Sequence, residues 1–127
     1  MKLRVTHNSI RIRIRKSELA TLQQNQVIEE SIGFPTNIVF KFALEISKED
    51  KVLDAILKNN RLVLSLPKTE AEKWITTNQV SIETFIQIND EEQLHLLIEK
   101  DFPCLDREEE DKSDTFWELV PESPESC

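Results

Sequence analysis

Lys2, Arg4, Arg11, Arg13 and Arg15 alternate with aliphatic residues near the start of a chain whose net charge is -8. Cations at that spacing share one face of an extended strand, a surface that can hold an anion: nucleic acid phosphate, a small anion or an acidic protein segment. Residues 1–16 carry six basic side chains and no acid, whereas residues 17–101 and 102–127 each contribute a net charge of -7. Pairing of the two runs sets Arg4 opposite Arg11 and Lys2 opposite Arg13, and like charges directly opposed across strands are unfavourable. An anion is therefore expected near that face, supplied either by neighbouring glutamates or by a partner. Arg4, Arg11, Arg13 and Arg15 are the candidate anion- or partner-binding residues.

Other reactive groups are sparse. Gly33 is the only glycine, which excludes a phosphate-binding glycine loop, a dinucleotide fingerprint and a nucleophile elbow. His95 and Cys104 are the remaining candidates for an enzymatic site. Asp101 and Asp106 flank the thiol and would raise its pKa, a poor setting for a nucleophile. No C-x-x-C or H-x-x-x-H spacing supports a metal site, and no motif implies a cofactor. Adjacent glutamates such as Glu29 and Glu30 project to opposite faces of a strand and do not form a paired acid and base.

These residues are positioned by a design that occurs twice. A shift of 52 superimposes Asn8 on Asn60, Lys16 on Lys68 and Glu18 on Glu70. A one-residue gap then aligns Asn25-Gln26-Val27 with Asn78-Gln79-Val80 and Glu30 with Glu83, and a second aligns Glu45 with Glu99. Each copy reads as strand, strand, helix, strand, strand. Turns at His7-Asn8 and Asn59-Asn60 would pair Val5 with Ile10 and Leu57 with Leu62, because Asn tolerates positive φ. Ser17 and Thr69 are the expected N-caps, Thr69 with Glu72 as a capping box, and Leu22 and Trp74 mark matching inward positions. The expected fold class is α+β: internally duplicated ββαββ units with about eight mostly antiparallel strands, forming a barrel or packed sheets, plus two short helices in pseudo-two-fold symmetry. The duplicated domain is expected over residues 1–101, in copies of about 1–50 and 51–101, followed by an acidic C-terminal tail over 102–127.

The tail combines an acidic run, Glu108 to Asp111, with Phe116, Trp117, Leu119 and Val120. That composition suits a short docking motif, and Phe116 and Trp117 are its candidate anchors. No apolar run is long enough to span a membrane, and the alternating opening residues lack the apolar stretch of a signal peptide. With two cysteines expected as free thiols, the expected location is the cytoplasm, as a monomer or homodimer.

The segment N-S-I-x-I-x-I-x-K from Asn8, followed by a short helix and N-Q-V, resembles the swapped-hairpin DNA-binding unit of transition-state regulators and antitoxins. His7 and Arg15 stand where that family usually has glycine and proline. The resemblance implies that two units interleave into a small barrel and that Arg4, Asn8, Arg11, Arg13 and Lys16 contact DNA. Three longer stretches, MKLRVTHNSIRIRIRKSE, NNRLVLSLPKTEAEKW and LIEKDFPCLDREEED, together resemble a family of short bacterial proteins without an assigned function, and so imply no activity. The residues themselves point to a non-enzymatic binding or regulatory module, using the arginine face, the tail or both. A nucleic-acid-binding regulator is the second reading, with DNA bound weakly, and an enzyme near Cys104 and His95 the third.

Overall fold

The computed structural model describes residues 1–49, 52–103 and 114–119. Strands β1 (Lys2–Thr6) and β2 (Ser9–Ile14) form a hairpin, followed by helix α1 (Lys16–Asn25) and a second hairpin of β3 (Val27–Phe34) and β4 (Ile38–Ile46). The order recurs in β5 (Asp54–Lys58), β6 (Arg61–Leu66), α2 (Lys68–Thr76), β7 (Ser81–Gln87) and β8 (Gln93–Lys100). Asn8, Asn59 and Asn60 all take positive φ (51°, 52° and 61°), as tight hairpin turns require. The resulting registers set Val5 opposite Ile10, Leu3 opposite Ile12, Leu57 opposite Leu62 and Ala55 opposite Leu64.

The hairpins exchange partners between copies. Sheet I has the order β1-β2-β8-β7 and sheet II the order β3-β4-β6-β5. Within each sheet the hairpins are antiparallel, and the two are joined by one parallel pair, β2 with β8 or β4 with β6. The helices carry the chain from one sheet to the other. The architecture is thus α+β with two open four-stranded sheets in place of a closed barrel.

Equivalent backbone hydrogen bonds repeat across the copies. The His95 and Lys41 amides donate to the Asn8 and Asn60 carbonyls, both at 2.9 Å. Lys100 and Ile46 donate to Val80 and Gln26, and Asp101 and Ser47 to Ile14 and Leu66. These pairs correct the sequence alignment: after the helices the shift is already 54, so Val80 is the counterpart of Gln26, and Glu83 that of Glu29. The caps also differ from expectation. The helices begin at Lys16 and Lys68, with the extended Arg15 and Pro67 as N-caps and no side-chain cap from Ser17 or Thr69. Proline fits there because its fixed φ suits the entry and no N–H is needed.

One core joins the sheets. Ile12, Ile14, Leu96 and Ile98 from sheet I meet Phe42, Leu44, Leu64 and Leu66 from sheet II, with Leu22 of α1 and Trp74 of α2 fully enclosed. Trp74 satisfies its buried indole N–H on the Val80 carbonyl at 2.9 Å, which the larger residue must do where Leu22 need not. Among the described residues no helix is long and apolar enough to cross a membrane. Leu22→Ala is expected to cost about 2–5 kcal/mol through lost burial and a residual cavity. Leu57→Ala, at a site 70% exposed, is expected to cost roughly 0.5 kcal/mol or less. Urea midpoints at unchanged slope measure both.

Candidate functional site

The pleat divides sheet I into a core face of aliphatic residues and an outer face of polar ones. Across β1, β2 and β8 the register lines up Arg4, Arg11 and Leu97 in one row, and Lys2, Arg13 and Glu99 in the next. Glu99 is only 5% exposed. Its Oε1 accepts a hydrogen bond from Arg13 Nε at 2.5 Å and lies 2.9 Å from Arg11 Nε. The Arg11 contact is Coulombic, since that buried nitrogen is not aligned for a hydrogen bond. Two guanidiniums therefore share one carboxylate, leaving the trio with a charge of +1.

The face has aromatic borders. Phe102 lies 5.7 Å from the Arg13 guanidinium, within cation–π range. At the other end Phe85, 57% exposed, stacks on His95 at a centroid separation of 4.6 Å. His95 Nε2 meets Glu83 Oε2 at 2.6 Å and its Nδ1 meets Ser9 Oγ at 3.3 Å. A serine, a histidine and a glutamate are thus linked across three strands. They lie on an open sheet face, whereas acyl transfer needs converging oxyanion donors in a water-excluded site.

Lys2 reaches Asp101 at 3.7 Å. Arg15 stands apart from the other arginines: as the α1 N-cap it bonds Glu18 Oε1 through Nε at 3.3 Å, and its backbone N–H bonds the same oxygen at 2.8 Å. Burial alone would raise the Glu18 pKa. Hydrogen bonds from the Met1 amino group and from Arg15 outweigh it and hold the carboxyl below its ordinary value. The structure therefore gathers Arg4, Arg11 and Arg13 on one surface and places Arg15 on the helix. Cys104 and the acidic run Glu108 to Asp111 lie outside the described residues, so no contact between that run and the arginines is described. Phe116 precedes a one-turn 3-10 helix, Trp117–Leu119, and both Phe116 and Leu119 are 73% exposed.

Glu92 locks the hairpin turns of sheet I together. It accepts Asn8 Nδ2 at 2.7 Å and Asn89 Nδ2 at 3.3 Å. The Asn8 bond is the largest of the effects that hold its pKa below the ordinary value. Sequence reading missed this link, and Glu99 as the partner of the arginines, because both arise from pairing between copies. No group of three or more metal-ligating side chains that could hold an ion occurs among the described residues.

The fold and this surface define a duplicated, hairpin-exchanged α+β protein with an arginine–glutamate cluster on an exposed sheet face. Over residues 1–119 the chain matches a protein family of unknown function (DUF7009), and it belongs to that family. The match runs through Leu119 and so takes in the 3-10 turn at Trp117. No curated protein and no solved structure matches the chain.

Glu99→Gln keeps the shape but leaves two guanidiniums without their shared charge, and is expected to cost about 3 kcal/mol in a denaturant titration. At Glu92 the lowered pKa makes the turn link fully present above the ordinary glutamate value and lost as pH falls through the depressed one. In Asn8→Gly, which keeps the turn's backbone freedom, the Glu92 titration followed by carboxyl NMR is expected to move up towards 4.5, its unshifted value.

Proposed function

We propose that this protein is a non-enzymatic binding module that captures an acidic protein segment on the outer face of sheet I. Arg4, Arg11 and Arg13 would supply the charge, with Phe85 and Phe102 as apolar borders. One observation carries the reading. The positions equivalent to Arg4, Arg11 and Arg13 in the second copy are Ile56, Val63 and Ser65, on the same strands of the same topology. The fold therefore does not need the arginines. Glu99 pre-orders two of them, which lowers the rotamer entropy lost when a partner binds. The exposed Phe116 and the Trp117 turn are a second contact region, suited to a partner or to a neighbouring copy.

Stacking of exposed Phe85 on His95 beside cations supports the second reading, a nucleic-acid-binding regulator, since bases stack on such platforms. A chain charge of -8 opposes long-range attraction to a polyanion. The test is fluorescence titration of the full chain with a labelled peptide of residues 108–119, and separately with duplex and single-stranded DNA at physiological salt. Micromolar peptide binding, weakened about tenfold, or 1.4 kcal/mol, by Lys2→Ala with Arg4→Ala, is the expected result. Submicromolar, sequence-dependent DNA binding with a steep salt dependence and no peptide binding would reverse the order of the two readings.

A further inference from the structure

The outer face of sheet II is built differently from that of sheet I. Register across β4, β6 and β5 lines up Lys41, Arg61 and Lys58 in one row, Ala43, Val63 and Ile56 in the next, and Glu45, Ser65 and Asp54 in the third. Cations, aliphatics and acids thus succeed one another over the same three strands. Successive rows are two residues apart, so the cationic and acidic rows are separated by roughly 13 Å. Over this gradient lies an open groove of about 510 Å³, lined by Val39, Lys41, Glu45, Ile56, Lys58, Asn59, Arg61 and Val63. Its volume is in the range of small-molecule sites.

The groove exists because the copies have diverged. Where sheet I has Leu97, Arg11 and Arg13, sheet II has Ala43, Val63 and Ser65. Between the charged rows the groove is lined by Val63 and the half-exposed Ile56, its apolar stretch. Charge on the cationic row is incompletely balanced. Among the described residues its one acidic partner is Glu29, 2.7 Å from Arg61 and 4.0 Å from Lys41, which leaves an excess of two positive charges. Arg61 holds the Glu29 carboxyl below its ordinary pKa, so this balance persists at neutral pH. At the far end Glu45 and Asp54 disfavour a second anion.

We propose that this groove is a binding site for a small zwitterion: an anionic group on the Lys41–Arg61–Lys58 row, an apolar spacer over Val63 and Ile56, and an ammonium on the Glu45 row. The site is separate from the sheet I surface and does not depend on that surface's role. The probes are 6-aminohexanoate, hexanoate and hexylamine, each titrated into the full-length protein and followed by amide NMR. Saturable shifts centred on Lys41, Glu45, Ile56, Arg61 and Val63 are expected, with 6-aminohexanoate binding about tenfold tighter than either single-charge probe. Glu45→Gln should remove that preference while leaving hexanoate binding intact. Lys58→Ala, at an exposed position, should weaken both carboxylates severalfold, and its amide spectrum reports whether the fold is kept. Equal affinity for the three probes, shifts centred on sheet I, or a preference unchanged in Glu45→Gln would overturn the proposal.

Discussion

Parallel pairing between the copies, β2 with β8 and β4 with β6, is the constraint on which the rest of the structure depends. A two-stranded hairpin is marginal in water, and each copy supplies two of them with only one short helix between. Joining a hairpin from each copy gives two four-stranded sheets, and the helices must then cross from sheet to sheet. The crossing seals Leu22 and Trp74 into the shared core. A sheet of this size buries its inner face only if the other sheet covers it, so the copies stabilise one another.

The same pairing composes both candidate surfaces. Arg13 meets Glu99, and Lys41 meets Arg61, because the parallel strands bring together residues far apart in sequence. On sheet I long side chains fill the outer face, and a buried carboxylate compensates two guanidiniums. On sheet II shorter residues leave a groove between a cationic and an acidic row. Buried ion clusters add little net stability over apolar packing, because desolvation offsets the Coulombic gain. The second copy illustrates this: its equivalent strands keep the fold with Val63 and Ser65 in place of the arginines. The fold by itself therefore does not require Arg11 and Arg13.

Local features were legible in the sequence. Asn8 and Asn59-Asn60, each between alternating runs, set the hairpin registers, and the helical spacing put Leu22 and Trp74 inward. What lay beyond reach were choices made by tertiary pairing. Alternation says which face a residue occupies but not which strand lies beside it, so Glu99 was not identified as the partner of Arg11 and Arg13. The cationic row of sheet II is likewise invisible within either copy alone, because Lys41, which completes it with Arg61 and Lys58, belongs to the first. Helix starts lie two positions before those expected, since Ser17 and Thr69 have cap chemistry while Arg15 and Pro67 have the non-helical backbone a cap needs. Arg15, in phase with Arg11 and Arg13, leaves their surface because β2 ends at Ile14.

Whether hairpins exchange between copies is decided most directly by interstrand nuclear Overhauser effects in the uniformly labelled full-length protein. Exchange predicts cross-peaks joining the His95 amide to Asn8, Ile12 to Ile98, and the Lys41 amide to Asn60. Cross-peaks that instead join β2 to β4 and β6 to β8 would place each hairpin within its own copy, separating Arg13 from Glu99 and Lys41 from Arg61, and would contradict both proposed surfaces.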